Sequence, residues 1–292
     1  MSGDSFDWRP HRIVVGFDGT AGAKDAVELC RTISAEDTHV ALVDVLLYPG
    51  APSAAYRLVT GAEFPIPEDF FAPATSRLPG RRLQTLTFIG NSPARILQDL
   101  AVEEGFDLIV VGSPHRGRIG RIMAGSVART LLHGSPVPVI TAPHGYADSA
   151  PTDLAKIAVA YDGGEESRAA LAYAQEIGRA AGATVEVLTV ERPTDPVRSA
   201  IAYTFSLPED VDEIQRQALG EVDPRLDLRR QVLQGETAEA LLDACAQDVD
   251  LLVVGSRGYG TVERVLLGST SAAVIDEAPC PVLVAPRPPA GH

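Results

Sequence analysis

The residues with the clearest potential for chemistry are glycines and hydroxyl side chains that follow an apolar run near the carboxyl terminus. Gly255 and Gly258 are separated by two residues, and after nine more residues come Gly268, Ser269 and Thr270. Glycines let the backbone approach a ligand with no side chain in the way, and the free amide groups at the start of a helix attract anions. The pattern therefore predicts a loop that binds phosphate groups.

A related pattern occurs earlier in the chain. It carries Gly112, Gly125 and Ser126, each 143 positions before its partner in the second copy, but His115 stands where the second copy has Gly258. Either the β-carbon of His115 blocks a close approach of the backbone to a ligand, or His115 and Arg116 contact phosphate themselves. A repeat of this length indicates duplicated domains rather than a solenoid, whose units run to about 20–50 residues.

Apolar segments before these loops predict the strands that position them. Arg12–Phe17, Leu108–Val111 and Leu251–Val254 are almost entirely apolar, which is typical of strands buried on both faces of a parallel sheet. Helical spacing follows in Ala23–Ile33, and Ser92 followed by a proline predicts the start of another helix. Strands that alternate with helices predict βαβ crossovers. We expect an α/β, Rossmann-like fold of two tandem open parallel five-stranded sheets with helices on both faces.

The duplication predicts two domains, residues 1–146 and 147–292. A segment rich in Pro, Asp, Ser and Ala, His144–Asp153, is the expected linker. From Asp18 onward the two copies align without a gap through the second strand, at an offset of 144. The segment Tyr48–Pro79 is rich in Pro and Ala, and we expect an irregular surface excursion there.

The last strand of each domain is expected at a sheet edge. These strands are Val137–Thr141 and Val282–Ala285. Exposed strand edges invite pairing with another strand. We therefore expect the two domains to meet through these edges as an intrachain pseudo-dimer with approximate twofold symmetry. Association of two chains into a homodimer stays open.

Both domains resemble those of the universal stress protein family, and the resemblance covers essentially the whole chain. The family's nucleotide motif is Gly, two residues, Gly, nine residues, Gly and then Ser or Thr, which the second copy reproduces. The resemblance implies an adenine-nucleotide alpha hydrolase-like fold that binds ATP, with Mg²⁺ held mainly by the phosphates. In ATP-binding members, the first-strand Asp and the backbone at the end of the second strand hold adenine and ribose, and the glycine loop holds the phosphates.

Carried over to this sequence, the resemblance implies two sets of nucleotide-binding residues. In domain 2, where the motif is complete, they are Asp162, Val190, Val254, Gly255, Gly258, Gly268, Ser269 and Thr270. In domain 1, where the second loop glycine is replaced, they are Asp18, Leu46, Val111, Gly112, His115, Gly125, Ser126 and Val127. Asp44 also interrupts the otherwise apolar second strand of domain 1, where the aligned residue of domain 2 is Leu188.

Each implied site residue also has a structural alternative that needs no ligand. Asp18 and Asp162 also suit the caps of the helices that follow them, and Gly112 and Gly255 also suit ordinary turns at the ends of strands. The serines that begin the last helices also suit a capping role alone. The sequence leaves these alternatives open.

Composition and charge disfavour several classes of function. A net charge of −14 disfavours a nucleic-acid partner, because phosphate binding needs a basic face. The longest apolar runs are strand-sized, far below the roughly 18 residues that span a bilayer, and Met1–Pro10 lacks the apolar core of a signal peptide. We expect a cytoplasmic protein with three reduced cysteines and no membrane partner.

No constellation of catalytic residues stands out in the sequence. Its two lysines, Lys24 and Lys156, lie outside Gly-rich loops, so there is no P-loop. We expect a regulatory ATP-binding protein of the stress response and not an enzyme. In this interpretation ATP changes the conformation or the choice of an unidentified protein partner. A nucleotide-free interaction scaffold and a slow ATP hydrolase are the alternatives.

Overall fold

The computed structural model describes residues 10–48, 56–57, 67, 69–113, 126–132, 135–191, 214, 216, 218, 220, 225–256 and 269–286. The described strands are β1 (Arg12–Gly16), β2 (His39–Leu47), β3 (Tyr56–Arg57), β4 (Arg82–Gly90), β5 (Leu108–Gly112), β6 (Val139–Ala142), β7 (Lys156–Ala160), β8 (Thr184–Glu191), β9 (Leu228–Gln234), β10 (Leu251–Gly255) and β11 (Val282–Ala285). The described helices are α1 (Ala21–Ile33), α2 (Ala72–Thr75), α3 (Pro93–Glu104), α4 (Ser126–Leu132), α5 (Tyr146–Ser149), α6 (Glu165–Ala181), α7 (Thr237–Cys245) and α8 (Ser269–Glu277).

The strands form one continuous sheet in the order β3-β4-β2-β1-β5-β6-β11-β10-β7-β8-β9. Neighbouring strands of each half run parallel, except that the short β3 pairs antiparallel with β4. The predicted α/β, Rossmann-like fold is confirmed. The prediction of two separate five-stranded sheets is corrected, because β3 adds a sixth strand to the first half and antiparallel pairing of β6 with β11 merges the two sheets.

Helices cover both faces of this sheet, so its central strands are apolar on both sides. On one face, Leu29 of α1 and Leu171 of α6 belong to a single apolar core. On the other face, Leu97 of α3, Leu131 of α4 and Val274 of α8 belong to a second core. With both faces covered in this way, the carboxyl ends of the parallel strands are the edges at which loops can bind a ligand.

The two halves join along β6 and β11, which confirms the predicted meeting of the last strands. Thr141 lies opposite Val282 in this pairing. On the α4 and α8 side of the sheet, Arg129 forms an ion pair with Asp276 across the junction. Because β6 and β11 run antiparallel, the strands of the two halves point in opposite directions. The two predicted nucleotide sites therefore lie at opposite edges of the sheet.

The predicted linker, His144–Asp153, is a structured connection rather than an open tether. It contains α5, and the carboxylate of Asp25 in α1 accepts hydrogen bonds from the amides of Gly145 (3.0 Å) and Ala147 (2.8 Å). The side chain of Tyr146 is buried in the same apolar core as α1. The buried carboxylate supplies acceptors for amide groups that a short helix cannot satisfy by itself.

The predicted surface excursion over Tyr48–Pro79 is wrong at its carboxyl-terminal end. α2 lies there, and Ala74 and Leu78 are buried in the core. Arg77 Nη1 lies 2.9 Å from Glu28 Oε2, so an ion pair ties this segment to α1. The segment is too short to show helical periodicity, and its burial depends on contacts with distant parts of the chain.

Candidate functional site

Asp162 lies immediately after β7, at the carboxyl edge of the second half. The amide of Tyr161 donates to the carbonyl oxygen of Leu188 in β8 (2.9 Å), which continues the strand pairing to this point. Asp162 is exposed, and its Oδ1 accepts a hydrogen bond from the amide of Gly164 (3.0 Å). Gly164 is the N-cap of α6. The alternative that Asp162 caps the helix is therefore wrong, and its carboxylate is accessible to a ligand.

Asp18 occupies the equivalent place after β1. Its Oδ1 accepts hydrogen bonds from the amide (3.0 Å) and the hydroxyl (2.6 Å) of Thr20. Thr20 is the N-cap of α1, and its hydroxyl accepts from the amide of Ala23 (3.3 Å). The capping alternative is therefore wrong for Asp18 too, because this carboxylate shapes the turn while the threonine caps the helix.

Gly255 and Gly112, the last residues of β10 and β5, pack directly against helix backbones. A β-carbon on Gly255 would lie 2.5 Å from the carbonyl oxygen of Glu166 in the first turn of α6. A β-carbon on Gly112 would lie 1.8 Å from the carbonyl oxygen of Gly22 in the first turn of α1. Both distances are far below van der Waals contact. The packing of each strand against its helix therefore requires these glycines. Neither the nucleotide-binding interpretation nor the turn interpretation of the sequence anticipated this role.

Ser256 is a site candidate that the sequence interpretation missed. Its amide donates to the carbonyl oxygen of Ala285 in β11 (3.1 Å), and the residue is 1% exposed. Within the described part of the chain its hydroxyl oxygen has no hydrogen-bond partner. A buried polar group without a partner costs about 1–3 kcal/mol, so this hydroxyl fits a site that receives a polar ligand. The signal in the sequence was its position between Gly255 and Gly258.

α8 begins beside the end of β10. Ser269 and the half-buried Thr270 are its first two residues. The buried hydroxyl of Ser271 donates a long hydrogen bond to the carbonyl oxygen of Gly255 (3.4 Å). The amide groups of the first helical turn have no partner within a helix. These donors therefore lie at the same sheet edge as the end of β10.

The corresponding helix of the first half differs in one contact near its start. α4 begins at Ser126, followed by the half-buried Val127. Ala128 stands 143 positions before Ser271 and has no hydroxyl group. The side chain at this position of the first half therefore cannot make the hydrogen bond that links helix and strand in the second half.

Part of each predicted site stays a prediction. Val254 and Val111 are buried in β10 and β5, one residue before the glycines that end these strands. Four further predicted site residues lie outside the described part of the chain: Gly258, Gly268, His115 and Gly125.

The second strands of the two halves are equivalent at an offset of 145, not at the expected 144. Arg12 of β1 lies opposite His39 of β2, whereas its counterpart Lys156 of β7 lies opposite Thr184 of β8. The reason is that α6 has 17 residues where α1 has 13. The connection that follows α6 is shorter, but it does not fully compensate for the longer helix. The predicted gap-free alignment is therefore wrong.

This shift overturns the expected equivalence of Leu46 and Val190. The structural counterpart of Val190 is Val45, and both pack against the core on the α3 and α7 side of the sheet. The counterpart of Leu46 is Glu191. Neighbouring strand residues point to opposite faces, so the side chain of Leu46 points away from the face that Val45 and Val190 share. Val45 therefore replaces Leu46 in the candidate site of domain 1.

By the same shift, Asp44 corresponds to Thr189 rather than to Leu188. Both side chains are buried, with 6% of Asp44 and 3% of Thr189 exposed. Burial raises the pKa of the Asp44 carboxyl, and the nearby Asp18 carboxylate raises it further, although a backbone hydrogen bond opposes both effects. At these two equivalent positions domain 1 therefore has two acids, Asp18 and Asp44, where domain 2 has Asp162 and a neutral threonine.

Two other kinds of site find no support within the described residues. No group of three or more His, Cys, Asp or Glu side chains in that part of the chain could hold a metal ion. No described helix combines the length and the apolar character that a membrane crossing requires.

The comparisons with known proteins all match this chain to universal stress proteins. A model of the family described as "Universal stress protein family" matches residues 10–143 and 154–286. A universal stress protein of Mycolicibacterium smegmatis is 28% identical over 290 residues, which cover 93% of this chain and 96% of that protein. A universal stress protein of Thermus aquaticus is 35% identical over 133 residues, 44% of this chain and 96% of that protein.

A solved structure shows the same fold over nearly the whole chain. The crystal structure of a universal stress protein from Archaeoglobus fulgidus aligns with a TM-score of 0.67 and 19% sequence identity. The alignment covers 96% of this chain and 100% of that chain. The joined arrangement of two α/β halves is therefore found in a known protein.

Proposed function

The chain belongs to the universal stress protein family, and from that premise we propose that its carboxy-terminal half binds ATP. In this proposal Mg²⁺ is held mainly by the phosphates of the nucleotide. The observation that carries the proposal is the Ser256 hydroxyl, which is buried at the end of β10 without a hydrogen-bond partner among the described residues, and which belongs to the complete glycine motif of the sequence.

The phosphate end of the nucleotide fits the edge where β10 and α8 meet. The contact of Ser271 with the Gly255 carbonyl brings the first turn of α8 to this edge. The amide groups of this turn, which have no partner within the helix, and the positive end of the helix dipole favour a negatively charged ligand. Together with the Ser256 hydroxyl they supply backbone and side-chain donors on one side of the site.

The adenosine end of the nucleotide fits the neighbouring strands. Asp162 is exposed directly after β7, and the Tyr161 amide holds β8 alongside through the Leu188 carbonyl (2.9 Å). A carboxylate at this position can accept hydrogen bonds from an amino group or a hydroxyl group. The backbone at Val190, near the carboxyl end of β8, supplies amide and carbonyl groups at the same edge.

We propose a regulatory role for the bound nucleotide rather than a catalytic one. A ligand changes a conformational equilibrium or the choice of a partner only if it binds the two states with different affinity. ATP bound at the edge of β10 and α8 contacts elements that also border the junction between the halves, because Asp276 of α8 pairs with Arg129 of α4. Domain 1 is a second and weaker candidate site in this proposal.

Isothermal titration calorimetry with Mg-ATP tests the proposed ligand. The intact protein is compared with Gly258→Asp, which places a carboxylate in the glycine loop of domain 2. We expect this variant to bind at least about a hundredfold more weakly, because like charges brought together cost several kcal/mol. Gly117→Asp, in the corresponding loop of domain 1, makes the same change in net charge and is expected to retain the domain 2 affinity.

Two outcomes contradict the proposal. Equal affinity of the intact protein and Gly258→Asp means that ATP binds elsewhere, and no heat of binding in either means that it does not bind. Mass spectrometry of nucleotide retained after gentle purification adds an independent readout. A chain that carries no nucleotide and binds none in the titration is an interaction scaffold.

A further inference from the structure

The two candidate sites differ at one buried position of the second strand. Asp44 of β2 and Thr189 of β8 are structurally equivalent, because both strands pair with their neighbours at the same relative register. Both residues are buried, so the difference between them is a negative charge rather than exposure. The gap-free sequence alignment hides this pair, since it places Leu188 opposite Asp44.

Asp44 lies directly beside the end of β1. The amide of Phe17 donates to the carbonyl oxygen of Val43 (2.8 Å), so the chain of β1 is still paired with β2 where Asp18 begins. Alternate residues of a strand share a face, and Leu42, two residues before Asp44, belongs to the core on the α1 side, as does Phe17. Asp44 is thus on the face from which α1 approaches the site.

The equivalent geometry in the second half contains no buried acid at this position. The Tyr161 amide donates to the Leu188 carbonyl (2.9 Å), which brings Thr189 beside the start of the turn at Asp162. A threonine hydroxyl can both donate and accept a hydrogen bond, whereas an ionised carboxylate only accepts. At this buried position, beside the adenosine end of the proposed site, a nucleotide therefore meets a carboxylate in domain 1 and a neutral hydroxyl in domain 2. The other acids near this edge of domain 2, Glu165, Glu166 and Glu191, are not buried.

The charged environment of Asp44 increases this difference. Burial raises the pKa of the Asp44 carboxyl. Among the described residues, the charged group that acts on this carboxyl is another acid, Asp18, which raises the pKa further. Interactions between charges are strengthened where water is excluded. An anionic ligand bound at this edge adds a further negative charge to two that already repel each other.

We propose that Asp44 lowers the affinity of domain 1 for phosphate-bearing nucleotides, so that the two sites of the chain fill in order, domain 2 before domain 1. The inference rests on the proposed ATP site and assigns a specificity-determining residue to its weaker copy. A buried charge on the second strand, and not the glycine loop alone, then makes the two halves unequal.

Reciprocal substitutions test this assignment. In a Gly258→Asp background, which disables domain 2, Mg-ATP is titrated against chains that carry Asp44, Asp44→Asn or Asp44→Thr. We expect each substitution to tighten Mg-ATP binding about tenfold, as the removal of one nearby like charge predicts. In the otherwise native chain, Thr189→Asp is expected to weaken the domain 2 site about tenfold, and the uncharged control Thr189→Asn to change it less than threefold.

Adenosine, which has no phosphates, separates the charge effect from a change of shape. We expect its affinity for domain 1 to change less than threefold between Asp44 and Asp44→Asn. An equal gain for adenosine and Mg-ATP overturns the assignment, and so does the absence of any gain for Mg-ATP. Titration of the native chain distinguishes the two proposals. If Mg-ATP binds in domain 2 but the Asp44 substitutions leave the affinity of domain 1 unchanged, only this inference is wrong. If Mg-ATP binds in neither domain, the proposed ATP site is wrong as well.

Discussion

The amino edge and the carboxyl edge of the sheet differ in how closely the two halves of the chain resemble each other. At the amino edge, Asp107 Oδ2 accepts two backbone hydrogen bonds, one from the amide of Arg12 (2.9 Å). Asp250 Oδ2 accepts the equivalent pair, one from the amide of Lys156 (2.9 Å). The residues that clamp the first strand to its neighbour are therefore retained in both copies.

The carboxyl edges of the two halves differ at several residues. Asp44 has Thr189 as its counterpart, and Ala128 stands where Ser271 contacts the strand end in the second half. The orphaned hydroxyl of Ser256 also belongs to the second half. The contacts that hold the first strand in place are therefore duplicated, whereas the edge that carries the proposed sites has diverged, and this difference supports the proposal that the second half is the principal site.

The largest effect is expected where the two halves share a packing constraint. Gly112→Ala places a methyl group 1.8 Å from the Gly22 carbonyl oxygen, and we expect a loss of about 3 kcal/mol in the free energy of unfolding. Gly255→Ala, with a contact of 2.5 Å, should lose less. Urea denaturation measures both.

Gly105→Ala is the matched control for these glycines. Gly105 has a φ of +67° but open space around its missing side chain, so its substitution tests backbone conformation alone, at a cost of about 1–2 kcal/mol. If Gly112→Ala costs no more than Gly105→Ala, close packing is not the reason for a glycine at this strand end.

A second prediction concerns the symmetric clamps. Asp107→Ala and Asp250→Ala each remove a carboxylate that accepts two backbone hydrogen bonds. We expect each to lower the free energy of unfolding by about 2 kcal/mol, the size typical of hydrogen bonds to charged groups. Losses that differ by more than about 1 kcal/mol would contradict the claim that the amino edges are equivalent.

A third prediction concerns pH and the asymmetric residue Asp44. Its raised pKa means that the folded state binds the proton more tightly than the unfolded state, so the native chain gains stability at low pH and loses it as the pH rises through the folded pKa. Asp44→Asn should therefore be more stable than the native chain at neutral pH, by about 1 kcal/mol, with the difference vanishing in acid. Thermal unfolding at several pH values measures this, and a difference independent of pH contradicts it.

The smallest effect is expected at Ser256. Removing an orphaned buried hydroxyl relieves its desolvation cost, so Ser256→Ala should raise the free energy of unfolding by about 0.5 kcal/mol in the absence of ligand. If the hydroxyl contacts the nucleotide, the same variant should bind Mg-ATP about threefold more weakly. Ser113→Ala in the first half is the control, and an equal loss of affinity in both variants removes the special role of Ser256.

The sequence predicted the repeated elements well because their signals are local. β5 and β10 extend the predicted runs by one residue each, to Gly112 and Gly255. The predicted cap at Ser92 is confirmed, since its hydroxyl accepts a hydrogen bond from the amide of Arg95 (3.4 Å). Apolar runs and caps depend on neighbouring residues, so a single sequence reveals them.

Features set by distant contacts were missed. The described part of β3, Tyr56–Arg57, is recognised by its antiparallel pairing with β4, a contact with a distant part of the chain. The one-residue shift between β2 and β8 follows from the greater length of α6, which no local pattern near Asp44 records. The orphaned hydroxyl of Ser256 is likewise a property of burial and not of residue type. The sequence alignment of the two halves therefore misplaced a site residue, and the pairing of the strands was needed to identify Val45 as the counterpart of Val190.

A crystal structure of the chain soaked with Mg-ATP tests the central claim most directly. We predict triphosphate density at the amino-terminal turn of α8, with the Ser256 hydroxyl within hydrogen-bond distance of the ligand and Asp162 beside the adenosine. Domain 2 should be filled at a nucleotide concentration that leaves domain 1 largely empty. Density confined to domain 1, or a domain 2 edge that stays empty at millimolar nucleotide, would contradict the account.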